Sequence, residues 1–283
     1  MNTRLLLGDE AIASGAIDAG LCGVYAYPGT PSTEITEFIQ NSPAARERHL
    51  HCRWCTNEKT AMEAALGVSY AGGRALVCMK HVGMNVAADP FINSASTGVN
   101  GGLVVVAADD PSMHSSQNEQ DSRFYGKFAM IPVLEPSTQQ EAYDMMPCAF
   151  ELSEHLRLPV LIRIVTRLAH SRADVIVKSE SQPVVRLAPE KNPSQWVLVP
   201  ANAKRCYVKL LEKQQEVLES SEKSGFDQYR RSGIKKAKGI IACGIAWNYV
   251  METADKAAQF NVLKISQYPL PADAIKKLAS ESS

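Results

Sequence analysis

The stretch Trp54–Gly72 reads WCTNEKTAMEAALGVSYAG, and Glu58 opens its run of small and apolar residues. A carboxylate there has two possible uses. In the first turn of a helix, negative charge is favoured by about 0.3–1 kcal/mol. In an apolar setting its pKa moves toward a value where a proton can be shared with a ligand. The residues alone leave both uses open.

Other chemistry-bearing groups are weaker. Cys52 and Cys55 form a lone CxxC, whereas zinc and iron–sulfur sites take about four ligands. GVSYAG has Ala71 where a nucleophile elbow requires glycine. HSS at 114–116, near Asp109 and Asp110, lacks both an elbow and a separate orienting base for a hydrolase triad. No P-loop and no G-x-G-x-x-G is present. Three segments remain: YPGTPS (27–32), MKHVGMN (79–85) and ADDPSMHSSQNEQD (108–121). Each follows an expected strand and is read as a loop. Pro28, Gly29 and Pro31 suit a turn. His81 suits a hydrogen-bonded loop histidine. Asp109 and Asp110 suit the cap of a following turn, with a metal site as the alternative.

The elements that would position these residues alternate strand and helix. CGVYAYP, HCRWC, RALVCMK, GLVVVAAD and LPVLIRIV read as strands, several of them suited to burial on both faces. STEITEFIQ reads as a helix that Ser32 can cap, and TQQEAYDMMPCAFELSEHL as an amphipathic helix with a Thr138/Glu141 capping box and a kink at Pro147. The pattern predicts a doubly wound, mainly parallel α/β domain over residues 1–175. Its ligands would gather beyond the carboxyl ends of the strands, where Glu58 and all three loops would lie. Residues 171–200 hold strand-like pieces, DVIVK and WVLVP, and residues 176–237 read as a linker with a polar helical connector from Ala203. Residues 238–283 read as the start of a second α/β domain: strand KGIIACG, helix AWNYVMETADKAAQF, strand NVLKIS. That segment is short for such a domain, so the expectation is an incomplete one and a chain that is part of something longer.

The chain has 283 residues, and its Lys plus Arg count equals its Asp plus Glu count, 30 against 30. That balance gives no electrostatic case for nucleic acid or an anionic membrane. No run approaches the ~18 apolar residues of a membrane span. The N-terminus is too short in apolar residues for a secretory core. The seven cysteines are therefore expected as reduced thiols in a cytoplasmic protein.

Together, YPGTPSTEI (27–35), TNEKTAMEAALGVSYAGGRALVCMKHVGMNVAADP (56–90), GGLVVVAADDPSMHSSQNEQDSRFY (101–125), LEPSTQQEA and AFELSE resemble one family. They look like the N-terminal part of the alpha subunit of indolepyruvate ferredoxin oxidoreductase, a thiamine-diphosphate-dependent 2-oxoacid oxidoreductase. Weaker similarity runs on through WVLVPANAKR and KGIIACGIAWNYV.

The resemblance implies a domain that holds the aminopyrimidine ring of thiamine diphosphate, with Gly29 and Glu58 at the cofactor. Glu58 would hydrogen-bond N1′ and favour the imino form of the 4′-amino group, which then removes the thiazolium C2 proton. An arylpyruvate would lose CO₂, ferredoxin would take electrons through iron–sulfur clusters, and coenzyme A would take the acyl group. Thr30 would face the substrate carboxylate, with His81, Asn85 and Asp110 also at the substrate. Family members carry a G-D-G motif that binds the diphosphate through Mg²⁺, and usually a C-x₂-C-x₂-C cluster run. Neither occurs here. The Mg²⁺ and 4Fe–4S clusters are thus expected on parts of the enzyme outside this chain. Expected partners are a beta subunit and a second copy or a separate diphosphate-binding chain. Two alternatives stand beside this reading: an oxidoreductase for another 2-oxoacid, and a non-catalytic assembly subunit that docks a diphosphate-binding partner.

Overall fold

The structure is a computed structural model that describes residues 2–178, 183, 187–188, 193–253, 256 and 258–283. Strand β1 (Asn2–Leu7) leads into helix α1 (Gly8–Asp18). β2 (Gly23–Ala26) is followed by α2 (Thr33–Asn41) and α3 (Pro43–Glu47). β3 (His51–Trp54) leads to α4 (Glu58–Tyr70), and β4 (Ala75–Lys80) runs directly into α5 (His81–Thr97). β5 (Leu103–Asp109) precedes a long loop and α6 (Arg123–Ala129). Then come β6 (Val133–Leu134), α7 (Gln139–Leu156), β7 (Val160–Val165), α8 (Thr166–Ala169) and β8 (Arg172–Val177). After a 3₁₀ turn at Pro193–Trp196 lie α9 (Pro200–Glu212), α10 (Gln214–Glu222) and β9 (Gln228–Arg230). The last elements are β10 (Gly239–Cys243), α11 (Ala246–Glu252), β11 (Asn261–Ile265), β12 (Gln267–Tyr268) and α12 (Ala272–Glu281).

The main sheet has the order β12-β6-β7-β5-β4-β2-β3 and is parallel apart from β12. Successive side chains of a strand point to opposite faces, so one apolar run feeds two cores. In β5, Val104, Val106 and Ala108 pack with α1, α2 and α7 residues such as Ile12, Ile35 and Phe150. Leu103, Val105 and Ala107 pack with α4 and α5 residues such as Met62, Met84 and Phe91. From β2 the chain moves outward to β3, then returns to β4 on the other side of β2. The strand order therefore reverses between β2 and β4, and open α/β sheets bind ligands beyond the carboxyl edge at such a point.

Several expectations are corrected. MKHVGMN is not a loop: Lys80 ends β4 and His81 begins α5, so His81 and Asn85 sit on the first turns of a helix. Ser32 does not cap α2; its hydroxyl donates to Gly29 O at 2.8 Å, while Thr33 Oγ1 accepts from Gly29 N at 3.0 Å. Thr138 caps α7 as expected, but the Glu141 carboxylate takes Ser137 N and Oγ instead of closing the box. WVLVP forms no strand, because Trp196 closes the 3₁₀ turn and Pro200 begins α9 at a position where its missing N–H costs nothing. The polar connector stops being helical at Glu222, and β9 pairs with β11 in a second, three-stranded sheet. Helix α11 ends at Glu252, with residues 254, 255 and 257 of the expected helix outside the described residues. β12 returns to the main sheet against β6, which the sequence reading did not foresee. No described helix is long and apolar enough to cross a membrane.

Candidate active site

Glu58 is the first residue of α4, and Asn57 already caps that helix by accepting from Thr60 N at 2.9 Å. Glu58 as a residue is 8% exposed; its carboxylate oxygens keep some solvent contact and have no hydrogen bond or ion pair among the described residues. The carboxylate is thus open to a partner from outside the described residues. The side chain reaches across to α5 and lies over the backbone of Gly83. A β-carbon on Gly83 would stand 2.6 Å from Glu58 Oε1, inside van der Waals contact. The glycine of MKHVGMN is thus what admits the carboxyl.

Lys80 joins two of the expected segments. Its aliphatic stem packs over Gly29, and its Nζ donates to Ser115 O at 3.1 Å. Thr30 is exposed on the turn 27–32 and Gly29 is half-buried. His81 is fully buried, with Nε2 2.9 Å from Asn118 O. The carbonyl can only accept, so Nε2 carries the proton; Nδ1 is buried without a partner among the described residues. Asn85 accepts a hydrogen bond from the Tyr125 hydroxyl.

Asp110 is 1% exposed. It accepts from Ser115 N, Ser116 Oγ and Thr166 Oγ1, each at 2.8 Å. Burial works to raise its carboxyl pKa, but these bonds and one from the His114 backbone outweigh it and lower the value to about 2. The residue therefore stays ionised and organises the loop after β5. Asp109, fully buried, accepts from Ser122 Oγ at 2.5 Å and from Arg163 Nε at 2.7 Å. The CxxC is no thiolate site: burial pushes the Cys52 thiol up to about 11 and raises Cys55 as well. All seven cysteines are free.

Sequence reasoning missed a buried charge relay beside this edge. Arg163 bridges Asp109 and Glu135, the latter at 2.5 Å. Glu135 also takes Tyr268 Oη at 2.7 Å and Arg123 at 3.3 Å. Gly244, at φ +50°, lies against Glu135, where a β-carbon would be 2.5 Å from Oε1. The relay thereby ties β5, β7, the segment after β6 and β12 together, with Gly244 after β10 resting against Glu135. A lone Arg in the apolar strand LPVLIRIV was the available signal. A cavity of about 690 Å³ lies beside the relay, lined by His114, Arg163, Thr166, Ile245 and Tyr249 among others. Glu58, Thr30, His81 and Asn85 do not line it.

Comparison with known proteins adds the following. A family model described as pyruvate flavodoxin/ferredoxin oxidoreductase, thiamine-diphosphate-binding, matches residues 14–230. The indolepyruvate oxidoreductase subunit IorA of Archaeoglobus fulgidus is 44% identical over 98% of this chain and 45% of its own length. That of Pyrococcus abyssi is 45% identical over 96% of this chain and 43% of its own length. The 2-oxoglutarate synthase subunit KorA of Methanocaldococcus jannaschii is 27% identical over 68% of this chain and 54% of its own length. The chain thus spans about half the length of the curated relatives it matches. A 2-oxoglutarate:ferredoxin oxidoreductase structure from Magnetococcus marinus aligns with a TM-score of 0.80, covering 99% of this chain and 57% of that one. At 16% identity that likeness establishes the fold alone. The doubly wound α/β fold and the family resemblance read from the sequence are both borne out.

Proposed function

This chain belongs to the pyruvate flavodoxin/ferredoxin oxidoreductase thiamine-diphosphate-binding family, and from that premise we propose that it supplies the glutamate that activates the cofactor of a 2-oxoacid oxidoreductase. The observation that carries the reading is Glu58, buried, without a partner among the described residues, and admitted by Gly83 at the carboxyl edge of the sheet. These residues fit the aminopyrimidine ring. A carboxyl that lacks a donor within its own chain can take a ring N–H as partner. When bound, thiamine diphosphate supplies the electron sink that permits loss of CO₂ from a 2-oxoacid.

The remaining roles belong to this chain's own residues. Glu58 would hold the proton at N1′. Its seat against Gly83 of α5 would fix the direction from which the carboxyl meets the ring. Gly29 would lie beside the cofactor, and the exposed Thr30 hydroxyl is free to face the carboxylate of the 2-oxoacid. Asn85 would stand at the substrate with Tyr125 holding its amide. His81 and Asp110 would act at the same place by holding the loop after β5 through Asn118, Ser115 and Ser116. The substrate we assign is an arylpyruvate, in keeping with the names of the relatives most like this chain. The diphosphate with its Mg²⁺, the iron–sulfur clusters, and the handling of coenzyme A and ferredoxin fall to partner subunits or further domains.

The test is Glu58→Gln in the assembled oxidoreductase. Turnover should fall by about 10²–10⁴-fold with the melting temperature retained. Turnover near that of the parent would remove Glu58 from the mechanism.

A further inference from the structure

Asp9, the second residue of α1, is completely buried, and neither of its carboxylate oxygens has a hydrogen-bond partner among the described residues. Glu34 Oε2 and Thr36 Oγ1 are buried in the same condition on α2. Oxygens of Asp9 and Glu34 and a ring nitrogen of His170 lie within 4.8 Å of one another. His170 Nε2 stands 3.5 Å from Glu34 Oε1. Two carboxylates so close, one of them cut off from water, cannot both ionise without strong repulsion. One proton resolves the conflict. It converts an oxygen of Asp9 from acceptor to donor and gives Glu34 a partner.

We propose that Asp9 and Glu34 share a proton at neutral pH, and that this hydrogen-bonded pair positions the start of α2 and the turn 27–32. Burial first, then the charges of Glu34 and Glu10, raise the Asp9 carboxyl well above the usual range. The groups facing it are Glu10 on its own helix, Glu34 on α2, His170 after α8 and the Cys78 thiol on β4. Glu10 is itself engaged by Leu7 N at 2.8 Å. The pair matters because of what α2 carries. Thr33, next to Glu34, holds Gly29 N through its hydroxyl, and Ser32 holds Gly29 O. Ionising Asp9 would drive α2 away from α1 and take Gly29 and Thr30 with it. The positioning role rests on the proposed function; the proton sharing does not.

Infrared spectroscopy of this chain tests the sharing directly. A protonated carboxylic acid band is expected at pH 7, and it should be lost in Asp9→Asn. In Glu34→Gln it should disappear at a lower pH than in the parent. Absence of the band at pH 7, or its persistence in Asp9→Asn, would overturn the proposal. So would a stoichiometric divalent cation, found by elemental analysis and lost in Asp9→Asn. Melting temperature gives a second readout. A carboxyl with a raised folded pKa stabilises fully below its unfolded pKa and loses that contribution as pH rises through the folded value. The parent should therefore lose stability as pH rises. Asp9→Asn, which donates at every pH, should lack that slope, whereas Asp9→Ala should be less stable throughout; equal slopes in parent and Asp9→Asn count against the pair. In the assembled oxidoreductase, KM for the 2-oxoacid should rise several-fold with pH in the parent and stay level in Asp9→Asn. The same rise in both would overturn the positioning role while leaving Glu58 untouched.

Discussion

Gly83 on α5 gives up the space that the Glu58 carboxyl of α4 occupies: a β-carbon there would stand 2.6 Å from Oε1. One helix thus sets the position of a functional group carried by another, and position governs proton sharing more steeply than it governs folding. Gly83→Ala adds only one methyl group, so α5 should persist and the melting temperature should change little. The carboxyl must move, and turnover of the assembled oxidoreductase should fall tenfold or more, equivalent to about 1.4 kcal/mol of barrier. Steady-state kinetics beside a thermal melt checks this. An unchanged turnover would show that the contact does not hold Glu58 in its working position.

Asp110 organises the loop after β5 through donors from Ser115, Ser116 and Thr166. Asp110→Ala leaves those donors without an acceptor and should cost about 1–3 kcal/mol. The folded pKa is lowered to about 2. A depressed carboxyl contributes stability above its unfolded pKa, near 3.9, and loses it as pH falls through the folded value. The gap between parent and Asp110→Ala in urea midpoint should therefore be full at pH 7 and narrow below about pH 4. A gap independent of pH would mean that the carboxylate charge does not hold the loop.

The sheet was legible because apolar, β-branched runs such as GLVVVAAD suit strands covered on both faces, and the loops after them then fell on one edge. Glu58 was legible as an acid at the head of a smooth helix. The seat of its carboxyl against Gly83 was not legible, because no local pattern links residues 58 and 83. His81 and Asn85 were read on a loop because β4 passes into α5 with no intervening residue, so no turn signal marks the change. The β9 and β12 strands are short, and their partners β11 and β6 are distant in sequence, so local propensity could not find them. The Asp109–Arg163–Glu135 relay is likewise a product of tertiary packing, visible beforehand only as a charge inside an apolar strand.

Arg163 stands between two carboxylates that are almost without solvent contact, Asp109 and Glu135. Arg163→Met would leave Asp109 with only its Ser122 bonds and Glu135 with only Arg123 and Tyr268, and losing the cation from this buried pair should cost up to about 3–5 kcal/mol. Arg163→Lys keeps the charge and loses the fork that reaches both acids, so it should fall between parent and Arg163→Met. Urea unfolding at pH 7 gives the order. If Arg163→Met matched the parent, the relay would carry no net stability, and the join between the two sheets would rest on other links such as the Lys264–Glu141 ion pair and the Asn248 bond to Ser137 O.

Asp227 provides the opposite pH dependence from Asp110. Burial raises its carboxyl to about 6, with Ser266 N–H and Lys264 pulling down and Glu222 and Glu141 pushing up. Its Oδ1 accepts from Ser266 N at 2.7 Å, at the bend between β11 and β12. Because the folded value lies above the unfolded one, stability should fall as pH rises from about 4 toward 6 and then level off. Asp227→Asn keeps an acceptor for the Ser266 N–H and carries no charge. It should be more stable than the parent at pH 8, by an amount on the order of 1 kcal/mol once solvent screening is allowed for. At pH 4 the two should converge. Melting curves across that range decide it: if Asp227→Asn is the less stable protein at pH 8, the ionised carboxylate is favourable there, through Lys264, and burial does not dominate the site.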